Sequence, residues 1–151
     1  MKTIYFDMDG TIADLYGVDG WLDSIHKREV QAYLDAEPMV ELSRFIDALV
    51  KLKELGFRIG VLTWLARGAT KEYEDRIRDA KKHWLRQHIP FKLDEVRMMK
   101  YGQAKDRNAK DRGGILFDDD ARVRARWLGN AIDPAKHNIV EILEEIIKAA
   151  S

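Results

Sequence analysis

The run Ile4-Tyr5-Phe6-Asp7-Met8-Asp9-Gly10-Thr11 decides the fold. Its first three residues are β-branched or aromatic with little alternation, the composition of a strand covered on both faces, as in a parallel sheet. Two carboxylates and a glycine then break it. A second apolar run, Gly114-Ile115-Leu116-Phe117, ends in the same manner at Asp118-Asp119-Asp120. Carboxylates gathered at neighbouring strand ends repel one another and desolvate badly, and their common neutralising partner is a hard cation such as Mg2+ held through oxygen. The pattern points to metal-assisted phosphoryl chemistry.

Between and beyond these two runs, strand and helix signals alternate. From Ala13 to Pro38 the pattern is irregular: Gly17 and Gly20 mark turns, Trp21, Leu22 and Ile25 fit one short helix, and Val30, Tyr33 and Leu34 another. Glu41 to Leu55 carries Leu42, Phe45, Ile46, Leu49, Leu52 and Leu55 at three- and four-residue spacing, with Gly56 placed to end the helix in the left-handed conformation. Phe57 to Thr63 reads as strand two. Thr70 to His88 reads as a surface helix with Tyr73, Ile77, Ala80 and Trp84 inward, its charged residues forming a solvated face. Val96 to Met99, Gly114 to Asp118 and Gly129 to Ile132 supply the remaining strands, and Asn138 caps a last helix from Ile139 to Ala149. Asp120 is placed to cap a helix after the second acidic run. Such alternation predicts an α/β fold, a doubly wound parallel sheet whose ligands gather at the carboxyl ends of the strands.

Size and charge narrow the class. At 151 residues and 46% apolar content, the chain predicts one domain over 1–151, with a small insert at about 13–38. Basic and acidic residues balance at 26 each, so no global field draws the protein to nucleic acid or an anionic membrane. Cysteine is absent, which excludes disulfides, thiolate metal sites and cysteine nucleophiles. Lys2 followed only by Ile4 to Phe6 is far short of a signal-peptide core or a membrane span, so a cytoplasmic protein is expected.

The strand followed by Asp7-Met8-Asp9-Gly10-Thr11 resembles the first motif of the haloacid dehalogenase-like (HAD) superfamily. Thr63 at the end of strand two, a lysine, and Asp118-Asp119 after the later strand meet the rest of its pattern in order. The resemblance spans nearly the whole chain. It implies a three-layer Rossmann-like fold with a minimal helical cap, Mg2+ as cofactor and an aspartate nucleophile. Asp7 would attack phosphorus and Asp9 would protonate the leaving oxygen, then deprotonate water. Asp7, Asp9 (through its carbonyl), Asp118 and Asp119 would hold the metal, and Gly10, Thr11, Thr63, Trp64 and a lysine would bind the substrate. Spacing leaves Lys100, Lys105 and Lys110 open for that lysine; Lys105 is favoured, because the glycine in Tyr101-Gly102-Gln103-Ala104 can turn the chain back to the site.

Asp9 also narrows the chemistry that the resemblance implies. Superfamily members that cleave carbon–halogen bonds lack the second acidic residue and the pump ATPases carry threonine there, so phosphomonoester hydrolysis is expected. A calcium EF-hand does not fit, because a loop starting at Asp7 would put Ile12 at the required glycine and Val18 at the bidentate glutamate. A response-regulator receiver would carry its phosphoacceptor on a later strand. The chain is similar to short bacterial and phage members, and more loosely to cytosolic deoxyribonucleotidases, although Thr11 and Trp64 depart from those. A small cap leaves the site open, and Tyr16, Trp21 and Trp64 are candidates to stack on a base. A nucleoside monophosphate is the first substrate expectation, with a sugar phosphate or a nucleic-acid terminal phosphate behind it. A non-catalytic metal-binding domain of the same fold is the rival.

Overall fold

A computed structural model describes residues 2–151. Strands β1 (Thr3–Phe6), β4 (Arg58–Trp64), β5 (Glu95–Met99), β6 (Ile115–Phe117) and β7 (Ala131–Ile132) form one sheet in the order β5-β4-β1-β6-β7. All of its pairings are parallel. The remaining strands, β2 (Ala13–Asp14) and β3 (Glu37–Pro38), pair antiparallel and close the base of the insert, at the boundaries where the sequence changes character. The insert holds a short 3-10 turn, Leu15–Gly17, and helices α1 (Trp21–His26) and α2 (Gln31–Asp35). The other helices are α3 (Leu42–Glu54), α4 (Lys71–His88), α5 (Lys105–Asn108), α6 (Ala121–Arg126) and α7 (Ile139–Ala150).

Side-chain alternation along the strands builds three layers. Ile4, Phe6, Ile59, Val61, Ile115 and Phe117 face one side and pack with Leu49 and Leu52 of α3, Trp84 and Leu85 of α4, and Leu143 of α7. Tyr5, Leu62 and Leu116 face the other and meet Ala109, Val123 of α6 and Trp127. Both faces being covered is why these strands read as continuous apolar runs rather than alternating ones. The first half of α4 leaves the sheet: Tyr73, Ile77 and Ala80 pack with Leu15, Ala32 and Tyr33 of the insert. One long helix therefore fixes the insert relative to the sheet.

Caps follow from composition. The Thr70 side chain accepts from Tyr73 N at 3.2 Å, Asn138 from Glu141 N at 3.0 Å and Asp120 from Arg122 N at 2.8 Å. Strand β7 is shorter than the expected Gly129–Ile132, and Gly129 packs directly on the Gly113 and Gly114 carbonyls, where any Cβ would collide. Among the described residues no helix is long and apolar enough to cross a membrane.

Candidate active site

The order in which the chain adds strands reverses between β1 and β6, since β4 and β5 lie to one side of β1 and β6 and β7 to the other. Crevices at such switch points, beyond the strands' carboxyl ends, are where open α/β sheets bind ligands. Asp7 follows β1, Asp118 follows β6, and Asp7 N bonds the Phe117 carbonyl at 2.9 Å, which locks the two strand ends side by side. A cavity of about 460 Å3 opens there, lined by Asp7, Asp9, Thr63, Lys105, Asp118 and Asp119. That lies within the roughly 300–1,000 Å3 range of small-molecule sites. Its outer wall comes from the insert, through Tyr16, Trp21, Leu22 and Tyr33.

Of the three lysines left open by spacing, Lys105 is the one that reaches the acidic strand ends. Its buried ammonium donates to Asp7 Oδ1 at 2.8 Å and to Asp118 Oδ2 at 2.7 Å. The Gly102 turn, at φ +86°, and the single turn of α5 bring it there. Lys100 instead reaches Glu74 on α4, and Lys110 is exposed. Burial alone would lower the Lys105 pKa, but Asp7 and Asp118 outweigh it and hold the ammonium above its ordinary value.

Gly10 and Thr11 stand behind the carboxylates rather than on the main cavity; both line a neighbouring cleft of about 210 Å3. Gly10 has φ +82° and a Cβ there would strike the Asp119 carboxylate and the Tyr16 ring, so only glycine fits. The buried Thr11 hydroxyl lies 3.3 Å from Asp7 Oδ2 and from Asp119 Oδ1, and accepts from Asp119 N at 3.2 Å, so it spaces the carboxylates. Trp64 lines the cavity and also braces the lysine loop, its indole N–H donating to the Gln103 carbonyl at 2.8 Å and its ring lying 5.0 Å from Lys105 Nζ.

One residue at the site escapes the sequence reading. Lys81, assigned above to a solvated face of α4, is 1% exposed and donates to Asp9 Oδ2 at 2.9 Å, to Thr63 Oγ1 at 2.8 Å and to the Trp64 carbonyl at 2.7 Å. The signal was available: position 81 falls four residues after Ile77 and three before Trp84, on the inward stripe. Glu74, one residue after inward Tyr73, is buried for the same reason.

Asp7, Asp118 and Asp119 each offer an oxygen within 4.8 Å of the others, a hard all-oxygen donor set of the kind that suits Mg2+. Burial and the Asp7 charge push Asp118 up to about 6, against the pull of Lys105. Asp119 keeps an exposed surface, yet desolvation in the crowded cleft and the Asp7 charge push it up to about 7. Asp9 is also raised, by burial first and against Lys81. Carboxyls raised in this way bind more protons folded than unfolded, so stability falls as pH rises through that range. In EDTA the melting temperature should therefore drop between about pH 4 and pH 7. Excess Mg2+ should flatten that slope and add about 2.7 kcal/mol at 100 times its dissociation constant, read as a rise in melting temperature. Identical scans with and without the metal would remove it from the site.

No family model and no curated protein matches this chain.

Proposed function

We propose that the protein is a Mg2+-dependent phosphomonoester hydrolase of HAD type that works through an aspartyl-phosphate, with the insert at 13–38 as its minimal cap. The observation that carries this reading is the convergence of Asp7, Asp9, Thr63 and Lys105 on one cavity at a topological switch point. Asp7 is the nucleophile. Its Oδ1 is held by Lys105 and its Oδ2 by Thr11, which aims the carboxylate without a flexible intermediary. Asp9 lines the same cavity two residues on and serves as general acid, then general base. Thr63 and Lys105 donate to the phosphoryl oxygens. Mg2+, held by Asp7, Asp118 and Asp119 with the Asp9 carbonyl, would neutralise the dianionic phosphate. The deciding assay is Mg2+-dependent release of phosphate from a panel of monoesters; inactivity on every class with metal bound would favour the non-catalytic rival.

The aromatic wall favours a nucleoside monophosphate as substrate. Trp21 meets Tyr16 edge-on at 4.9 Å on the insert, and both line the cavity without touching the carboxylates through a hydrogen bond. Stacking a base on such a ring is worth about 1–3 kcal/mol, so Trp21→Ala should lower nucleotide kcat/KM roughly 5- to 150-fold. A small sugar phosphate should be nearly indifferent to it. Equal losses on both would make Trp21 part of the insert's own core, and a sugar phosphate preferred by the unmodified protein would end the nucleotidase reading.

A further inference from the structure

We infer that Lys81 is a positioning residue for Asp9, an inference that rests on the hydrolase reading above. An ammonium has three N–H donors, and the three acceptors around Lys81 use all of them. Two of those acceptors, Thr63 Oγ1 and the Trp64 carbonyl, belong to the end of β4, so the ammonium is anchored to the sheet. Asp9 lies on the loop after β1, and Lys81 is its only hydrogen-bond partner from a side chain among the described residues. The contact takes Oδ2 and leaves Oδ1, on a residue that lines the cavity, free for substrate. Lys81 itself does not line the cavity, and the Tyr33 ring of the insert lies 5.4 Å from its Nζ.

The two buried lysines divide the carboxylates between them. Lys105 takes Asp7 and Asp118; Lys81 takes Asp9. Methionine would fill position 81 on the inward stripe without desolvating a charge, so what the ammonium contributes is the placement of its partners. In the first half-reaction an Asp7 oxygen bonds to phosphorus as the ester P–O bond breaks, and the leaving oxygen keeps the electron pair and takes the Asp9 carboxyl proton. In the second, water oxygen bonds to phosphorus, its proton goes to Asp9, and the Asp7–phosphorus linkage breaks to release phosphate. Ester plus water becomes alcohol plus phosphate, and both transfers need Asp9 in place.

The test is a leaving-group ladder run on the full chain with Mg2+, from p-nitrophenyl phosphate to 2-phenylethyl phosphate, for Lys81→Met, Lys81→Gln and Asp9→Asn. Because kcat/KM reports steps through bond cleavage, only esters whose leaving oxygen needs a proton should suffer fully. Lys81→Met should cost about 100-fold on the alkyl ester and much less on the nitrophenyl ester, as Asp9→Asn does. Added to Asp9→Asn, it should cost little more. Lys81→Gln, which keeps a donor for Thr63 but no charge for Asp9, should show the same steepened ladder. A change in Thr63 would lower every ester alike, so the slope isolates Asp9. Equal losses along the ladder, full additivity with Asp9→Asn, or failure of both Lys81 variants to fold would each overturn the inference and leave Lys81 a strut. An unmodified protein inert on every ester overturns the hydrolase reading itself.

Discussion

Asp7→Asn should abolish Mg2+-dependent phosphomonoester hydrolysis, lowering kcat by at least about 1,000-fold, while the protein keeps its fold. Asparagine has the same shape, and Lys105 retains Asp118 at 2.7 Å, so the strand ends stay clamped. On the proposed mechanism what is lost is the anionic oxygen that attacks phosphorus, and the nearest other carboxylates, Asp118 and Asp119, follow β6 rather than β1. The substitution also relieves repulsion on Asp118 and Asp119, since Asp7 is among the causes that raise both. The variant should therefore melt higher than the unmodified protein in EDTA and gain less from Mg2+. Acid-quenched samples of the unmodified protein should hold a covalent phosphate that the variant lacks. A folded Asp7→Asn protein with most of its rate would sink the covalent mechanism.

How much of this was legible in the chain depends on where each residue's signal lies. The two acidic strand ends were readable because the apolar runs before them, Ile4 to Phe6 and Ile115 to Phe117, are covered on both faces and show no alternation to confuse. Helix α3 was readable from its stripe and from Gly56, whose φ of +96° ends it as the sequence suggests. Position along the chain does not, however, say which of several lysines returns to a site. Lys100, Lys105 and Lys110 differ only in the turn at Gly102 and in the four residues of α5, an element too short to leave a periodic signal. Lys81 was hidden for the opposite reason. Helix α4 is so rich in charge that an inward lysine looked like one more solvated residue, and only its phase against Ile77 and Trp84 distinguishes it. Thr11 was read as a phosphate ligand, and only tertiary contact shows its hydroxyl beside Asp119, 108 positions away in sequence.

Removing the central cation should be the most damaging single change to the resting site. Lys105→Met deletes an ammonium whose side chain is 2% exposed and which serves Asp7 and Asp118 together. Two buried carboxylates are then left facing each other beside Asp119 with no counter-charge, and breaking a buried pair in this way costs about 3–5 kcal/mol. The loss should show as a lower melting temperature in EDTA and be partly recovered in excess Mg2+, because a cation held by the same three carboxylates would offset the missing charge. Activity should not recover with it, since the donor to the phosphoryl oxygens is gone; a loss of about 100-fold or more is expected, the scale of one oxyanion donor. Lys100→Met is the control. Its ammonium is 66% exposed and pairs with the buried Glu74 away from the nucleophile, so the change should cost some stability as Glu74 loses its partner but leave turnover intact. Were Lys100→Met instead the variant that loses activity while Lys105→Met stays folded and active in EDTA, the cation beside Asp7 would have to be reassigned, and the clamp across β1 and β6 with it.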